Sequence, residues 1–440
     1  GAANQLGSNV NVTFGSNATS SSYGTLDLMG YNLSIGNLNV NGNTAQAHIQ
    51  NSQSLGYSGN SILTVNQTTN GSFNGLMRNF DGSGSGTLGL TKNGSANLTL
   101  SGNNITYTGG TIVNEGTLTL GGMVTVGRGT LRGTVTVNQG ATLNYTNAPG
   151  DIYSGSHSFG WDSGVSVNTL NINGGTVGGA DINNHFWGGG TFTLNMNGGE
   201  LKLGGGQNPT QTMNFNVLSN NTTARVTAVT AGANLAMEGR VTFNVADGSQ
   251  DVDLLVLPNL LERNGGAGKG QIMKTGAGTM RMTGTNTHEV GTWVQGGVLE
   301  IEHSRSLGSG AIAVEGGLLR YLGTGTDTSS RVFYQNGANG TVDVVNASAN
   351  LTFNNTSGSQ GGSGAKLTKV GAGQLTLGNV NLSSGADVQA GTLQLGSSAG
   401  SGNAGGNISV SNAAILKYYT AAGGWIPLGN TVSGSGDLVF

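Results

Sequence analysis

Leu90-Thr91-Lys92-Asn93-Gly94-Ser95-Ala96-Asn97-Leu98-Thr99-Leu100 decides the fold, because the chain carries it in three copies. The second is Ile272-Met273-Lys274-Thr275-Gly276-Ala277-Gly278-Thr279-Met280-Arg281-Met282. The third is Leu367-Thr368-Lys369-Val370-Gly371-Ala372-Gly373-Gln374-Leu375-Thr376-Leu377. Each copy is a glycine turn followed by an alternating strand. Leucines two residues apart share one face of a strand and the threonine between them takes the other. A strand-turn unit of this size cannot bury its apolar edge alone, so it must stack on its neighbours. The copies therefore predict a solenoid.

The same spacing recurs outside the copies. Leu118/Leu120, Val124/Val126, Val135/Val137 and Leu143/Tyr145 each place apolar side chains two apart among Thr, Asn and Gly. Thr suits the polar face because its branched Cβ fits a strand. Thr169-Leu170-Asn171-Ile172-Asn173-Gly174-Gly175-Thr176-Val177 returns as Thr193-Leu194-Asn195-Met196-Asn197-Gly198-Gly199-Glu200-Leu201. That offset predicts rungs of roughly 20–25 residues, the size of a repeat in a solenoid. Leu98, Leu100, Leu118, Leu120, Leu170, Ile172, Leu194, Met196, Leu375 and Leu377 are expected to point inward. Asn at successive corners tolerates left-handed backbone and can stack into side-chain ladders. No window shows helical periodicity free of glycine. The expected class is all-β: a single right-handed parallel β-helix, continuous over 1–440, with a loop insertion at 146–164.

Composition narrows the function. The 440 residues include 82 glycines, no cysteine and 8% charged residues, with a net charge of −3. Ordinary domains carry about 25% charged residues and roughly 7% glycine. Glycine without a G-X-Y period excludes collagen. Alternating β-branched residues argue against disorder. Without a basic stripe, no nucleic-acid partner is expected. Without cysteine there is no disulfide framework and no thiolate metal site. The longest apolar patch, Leu254-Leu255-Val256-Leu257, stops at Pro258, far short of the ~20 residues of a membrane helix.

Residues Lys92 to Leu120 carry the first copy and continue through Ser101-Gly102-Asn103-Asn104-Ile105-Thr106-Tyr107-Thr108-Gly109-Gly110-Thr111 to Asn114-Glu115-Gly116-Thr117-Leu118. This stretch resembles the autotransporter-associated β-strand repeat of large bacterial surface and secreted proteins. The copy from Lys274 to Ile301 keeps both ends but reads His288-Glu289-Val290-Gly291-Thr292 in place of the Tyr-Thr-Gly-Gly-Thr segment. The copy from Lys369 to Leu395 lacks that segment too. The resemblance implies an autotransporter-type passenger β-helix on the extracellular or outer-membrane surface of a Gram-negative-type bacterium. It implies no catalytic residues, because the repeat is a structural unit. The membrane β-barrel of complete autotransporters does not occur in this sequence.

Several clusters are candidates for chemistry. Asp247, Asp251 and Asp253 lie close together, but their spacing fits neither an EF-hand nor a calcium nonapeptide, so a polar corner without metal is expected. Glu300, Glu302 and Glu315, near Arg305 and Arg320, are the acids a glycan-cleaving enzyme would need. Glu300 and Glu302 flank Ile301, which predicts an outward, solvated position for both. Tyr153, His157, Phe159, Trp161, His185, Phe186 and Trp187 could stack across one rung as a partner or glycan patch. Solenoid ends are open strand edges. Val10, Val12 and Phe14 could therefore meet Leu438, Val439 and Phe440 of another copy head to tail.

These observations predict a non-enzymatic structural β-solenoid rod on a bacterial surface, self-associating or contacting neighbouring surface molecules. The alternatives are an adhesin that binds glycan or host surface through lateral aromatic loops, and a polysaccharide-processing enzyme. No cofactor is implied.

Overall fold

The computed structural model describes residues 6–15, 24–41, 47–52, 59–80, 85–102, 105–121, 131–146, 167–179, 191–204, 206–207, 212–262, 269–335, 337–354, 364–398, 400–420 and 429–440. Two compact units emerge. One comprises Gly1–Asn216 with Ala224–Ala236, and the other Val217–Thr223 with Met237–Phe440. Both are parallel β-solenoids. Among the described residues there is no α-helix, and one 3-10 turn at Ser304–Leu307.

In the first unit two parallel stacks run side by side. One passes through Ser61–Asn66, Leu88–Asn93, Thr111–Val113, Gly133–Asn138, Val167–Asn173 and Phe192–Met196. The other passes through Gly71–Phe73, Asn97–Leu100, Thr117–Leu120, Thr142–Tyr145, Thr176–Gly179, Glu200–Leu203 and Ala224–Ala228. The register follows the sequence repeat: Leu170 pairs with Leu194 and Ile172 with Met196. Rung length varies around that 24-residue step. Asn173 meets Asn138 from 35 residues away, because the intervening chain is longer there.

In the second unit, one stack links Leu254–Val256, Thr279–Met282, Val298–Ile301, Leu318–Tyr321, Gly340–Val344, Leu367–Val370 and Ala386–Val388. Another links Thr326–Ser329, Asn350–Asn354, Gln374–Gly378, Thr392–Ser397, Ile415–Tyr418 and Asp437–Val439.

Strand alternation sets the core. All ten residues expected to face inward are buried. Asn97–Leu100 and Thr117–Leu120 share one pattern, with leucines buried and Asn or Thr half-exposed. A slip of one residue would expose every leucine, so the register is strongly set.

Polar corners lock the rungs together. Asn93 donates from Nδ2 to Oδ1 of Asn66 at 3.1 Å. Asn114 donates to Asn93 at 2.8 Å, Asn138 to Asn114 at 2.7 Å and Asn173 to Asn138 at 3.0 Å. A parallel series runs from Asn216 through Asn195 to Asn171. The expected asparagine ladder is thus present, and each link satisfies amide groups that would otherwise be half-buried and unpaired.

The three copies share a device their sequence does not advertise. Gly94, Gly276 and Gly371 all have positive φ. A Cβ at each would collide with the backbone oxygen of the rung before: Gln67, Val245 and Val344 respectively. One rung later Gly116, Gly297 and Gly391 repeat the positive φ and press against Gly94, Gly276 and Gly371. Each copy is therefore two stacked glycine corners.

A fully buried lysine sits under each pair. Lys92 Nζ donates to the oxygens of Asn93 at 3.1 Å, Gly94 at 2.7 Å and Glu115 at 2.9 Å. Lys274 does the same to Thr275, Gly276 and Gly296, and Lys369 to Val370, Gly371 and Ala390. Three carbonyls match the three N–H bonds of an ammonium. Burial pulls all three lysines down to about 8, against the attraction of Glu115, Asp253 and Asp343 in turn.

Candidate functional site

The second unit carries a polar cleft of about 560 Å³. One wall is the 3-10 turn Ser304–Leu307 with His303 before it. The other is Thr326–Ser329, running on to Arg331. Asp327 holds the walls together. It accepts from the Ser304 backbone N–H and from Ser304 Oγ, both at 2.7 Å, and from the Tyr321 hydroxyl at 3.3 Å. Burial, then the neighbouring Asp327 charge, pushes the Tyr321 phenol up to about 12. Arg331 Nη1 donates to the Ser304 oxygen at 2.9 Å and to Ser329 Oγ at 3.0 Å, while Nε is buried without a partner. Burial lowers the Arg331 pKa, opposed by Asp327. His303, Arg305, Thr326, Thr328 and Ser330 line the cleft and are exposed.

The acids considered for catalysis lie elsewhere. Glu300 is not solvated as the strand alternation suggested. Arg281 Nη2 reaches Glu300 Oε2 at 2.7 Å and Arg320 Nη1 reaches Oε1 at 3.1 Å, leaving Glu300 buried. Arg320 Nε continues to Asp343 at 3.0 Å. Registered strands place these charges in file, Arg281 opposite Glu300, Glu300 opposite Arg320 and Arg320 opposite Asp343. A carboxylate clamped by two guanidiniums is poorly placed to give or take a proton. Glu302 is exposed, and Glu315 accepts from Gln295 at 3.3 Å.

The aspartate cluster is a corner. Asp253 is buried and accepts the Gly248 N–H at 2.8 Å and the Thr279 N–H at 2.7 Å, tying one rung to the next. Asp247 and Asp251 are exposed. Tyr153, His157, Phe159, Trp161, His185, Phe186 and Trp187 lie outside the described residues, as does 147–164 of the expected insertion. Val12–Phe14 pairs with Leu38–Val40, and Asp437–Val439 pairs with Ile415–Tyr418. Val10, Leu438, Val439 and Phe440 are exposed.

Sequence reasoning passed over two kinds of residue. The buried lysines were visible only as the shared third position of Leu-Thr-Lys, Ile-Met-Lys and Leu-Thr-Lys. Asp327 and Arg331 gave no signal, because Ser304 meets Asp327 only through stacking, 23 residues apart. A third residue was visible as a substitution. His288 Nε2 lies 2.8 Å from Thr292 Oγ1, as the Tyr107 hydroxyl lies 2.7 Å from Thr111 Oγ1. The histidine fills the tyrosine's place in the second copy.

The passenger-associated-transport-repeat family matches at residues 90–120, 273–301 and 367–395, the three copies described above. The chain is also similar to the adhesin BmaC autotransporter of Brucella suis biovar 1 (strain 1330), 30% identical over 370 residues. That alignment covers 81% of this chain and 8% of the relative, so the chain spans about a twelfth of the relative's length. No solved structure matches. Among the described residues no helix is long and apolar enough to cross a membrane. The repeats and the adhesin relative place the chain on the extracellular or outer-membrane surface. The three passenger-associated transport repeats, the adhesin relative and the parallel β-solenoid all fit a bacterial autotransporter-type passenger β-helix.

Proposed function

We propose that this segment is a non-enzymatic scaffold within a larger surface passenger, holding other parts of that protein away from the cell. One observation carries the reading: much of its half-buried polar chemistry is spent between rungs. The asparagine ladder, the Arg281–Glu300–Arg320–Asp343 file and the three lysines all bond to neighbouring rungs. Such links stabilise a repeat array through its nearest-neighbour interfaces. The test replaces the segment, in the displayed passenger, by the same number of unrelated solenoid rungs. Attachment to host cells should survive the exchange. Loss of attachment with normal display would reject the scaffold role.

A second reading is direct contact with a host surface or glycan, favoured by the polar cleft and by the relative's name as an adhesin. Binding of the purified chain to cells tests it. Head-to-tail assembly through Val10, Val12 and Phe14 against Leu438, Val439 and Phe440 remains a further proposal. Filaments that disappear in Phe440→Asp would support it, and a concentration-independent monomer would refute it.

A further inference from the structure

We propose that the cleft between His303–Arg305 and Thr326–Arg331 binds an acidic glycan, with the sugar carboxylate held by Arg305 and Arg331. The inference rests on the surface-contact reading above. The cations facing this cleft are in surplus. The Arg305 guanidinium forms no hydrogen bond or ion pair among the described residues, its backbone oxygen alone accepting from Asn286, and Arg331 uses only Nη1 of its side-chain nitrogens there. Arg281, Arg320 and Lys366, by contrast, are each neutralised by Glu300, Asp343 or Asp387. Asp327, the one carboxylate in the lining, is already engaged through both oxygens. An incoming carboxylate therefore meets free guanidinium donors, the pairing whose planar geometry favours two parallel hydrogen bonds. Its negative charge would also offset the Arg331 cation, which burial disfavours.

The rest of the lining argues for a sugar. Serine and threonine hydroxyls from Thr326, Thr328 and Ser330 dominate the exposed wall, and the cleft has no aliphatic residue. Hydroxyls that donate and accept match those of a saccharide, whereas an apolar peptide or lipid chain would find nothing to bury against. One engaged carboxylate also leaves no acid–base pair for glycoside cleavage, so the role is binding.

Calorimetry on the purified chain would use a short oligogalacturonate and its methyl ester, which has the same ring and hydroxyls but no charge. The acid should bind and the ester bind at least about tenfold more weakly, a difference of about 1.4 kcal/mol. Arg305→Gln should weaken the acid by about tenfold, and Thr328→Trp should block it by filling the cleft, with melting curves confirming that both variants fold. Equal binding of acid and ester, no effect of Arg305→Gln, or equal competition by inorganic phosphate would overturn the proposal. Binding of the chain to cells is measured in parallel. Cell binding without oligogalacturonate binding would sink this inference and leave the surface-contact reading standing; the reverse would do the opposite.

Discussion

Lys369 reaches across one rung to Ala390: its buried ammonium donates to the Ala390 carbonyl at 3.2 Å while also holding Val370 and Gly371. One side chain thus closes its own corner and fastens the next. Two other lysines repeat the arrangement, which makes it a property of the repeat.

Lys369→Met keeps the length and apolar stem but leaves three corner carbonyls without a donor. An unsatisfied buried acceptor costs about 1–3 kcal/mol. Urea unfolding should show a loss of that order or larger. A neutral or stabilising result would mean that water reaches the corner and the ammonium is dispensable.

Alkaline pH should stabilise the chain through the same lysines. Their folded values, about 8, lie below the ordinary 10.5. Between the two the unfolded chain binds more protons, so stability rises with pH and is lost as pH falls toward 8. The melting temperature should climb from pH 8 to 10, and the climb should flatten in the Lys92→Met, Lys274→Met, Lys369→Met variant. Tyr107 and Tyr321, both raised by burial, oppose this only above about pH 10.

Acid should act through His288. Burial, reinforced by the charge of Arg331 and opposed by a backbone hydrogen bond at Leu260, pulls it from 6.5 down to about 4. Its contribution is intact above pH 6.5 and lost as pH drops through 4, since the unfolded chain takes the proton first. His288→Tyr, which restores the residue found at Tyr107, should abolish the fall in melting temperature between pH 6.5 and 4. An unchanged fall would assign the acid sensitivity to another group.

Glu300→Gln should leave Arg281 and Arg320 facing each other over a neutral amide. Hydrogen bonds to charged groups contribute about 1.5–3 kcal/mol each. Because Glu300 is buried and both arginines are about one-third exposed, a net loss of about 2–3 kcal/mol is expected by urea melts. An effect that vanishes at 1 M salt would show that the file is a surface pair after all.

The solenoid was legible because a buried strand face writes itself as alternation, and the ten inward residues from Leu98 to Leu377 obey it. Asn173 was legible as a corner because it closes its strand just before Gly174-Gly175, and Asn195 as an outward strand position between Leu194 and Met196. Lys92, Lys274 and Lys369 were not, since a charge at an inward position breaks the alternation, and only the burial of Nζ under two glycine corners explains it. The reading of Glu300 foundered on neighbours about twenty residues away in each direction, Arg281 and Arg320, which a single-strand view does not contain. The cleft was hidden in the same manner: Ser304, Tyr321, Asp327 and Arg331 share no motif and meet only by stacking.

From Asn66 to Asn138 every amide points its donor toward the preceding rung and offers its oxygen to the following one. All junctions in this series are chemically the same. A gene encoding such a chain can gain or lose whole rungs by recombination without creating a mismatched joint, because the flanking amides simply find new, identical partners. A single-residue deletion has no such refuge, since it turns the leucines outward. Length in this molecule can therefore drift in steps of one rung while the core composition stays under constraint.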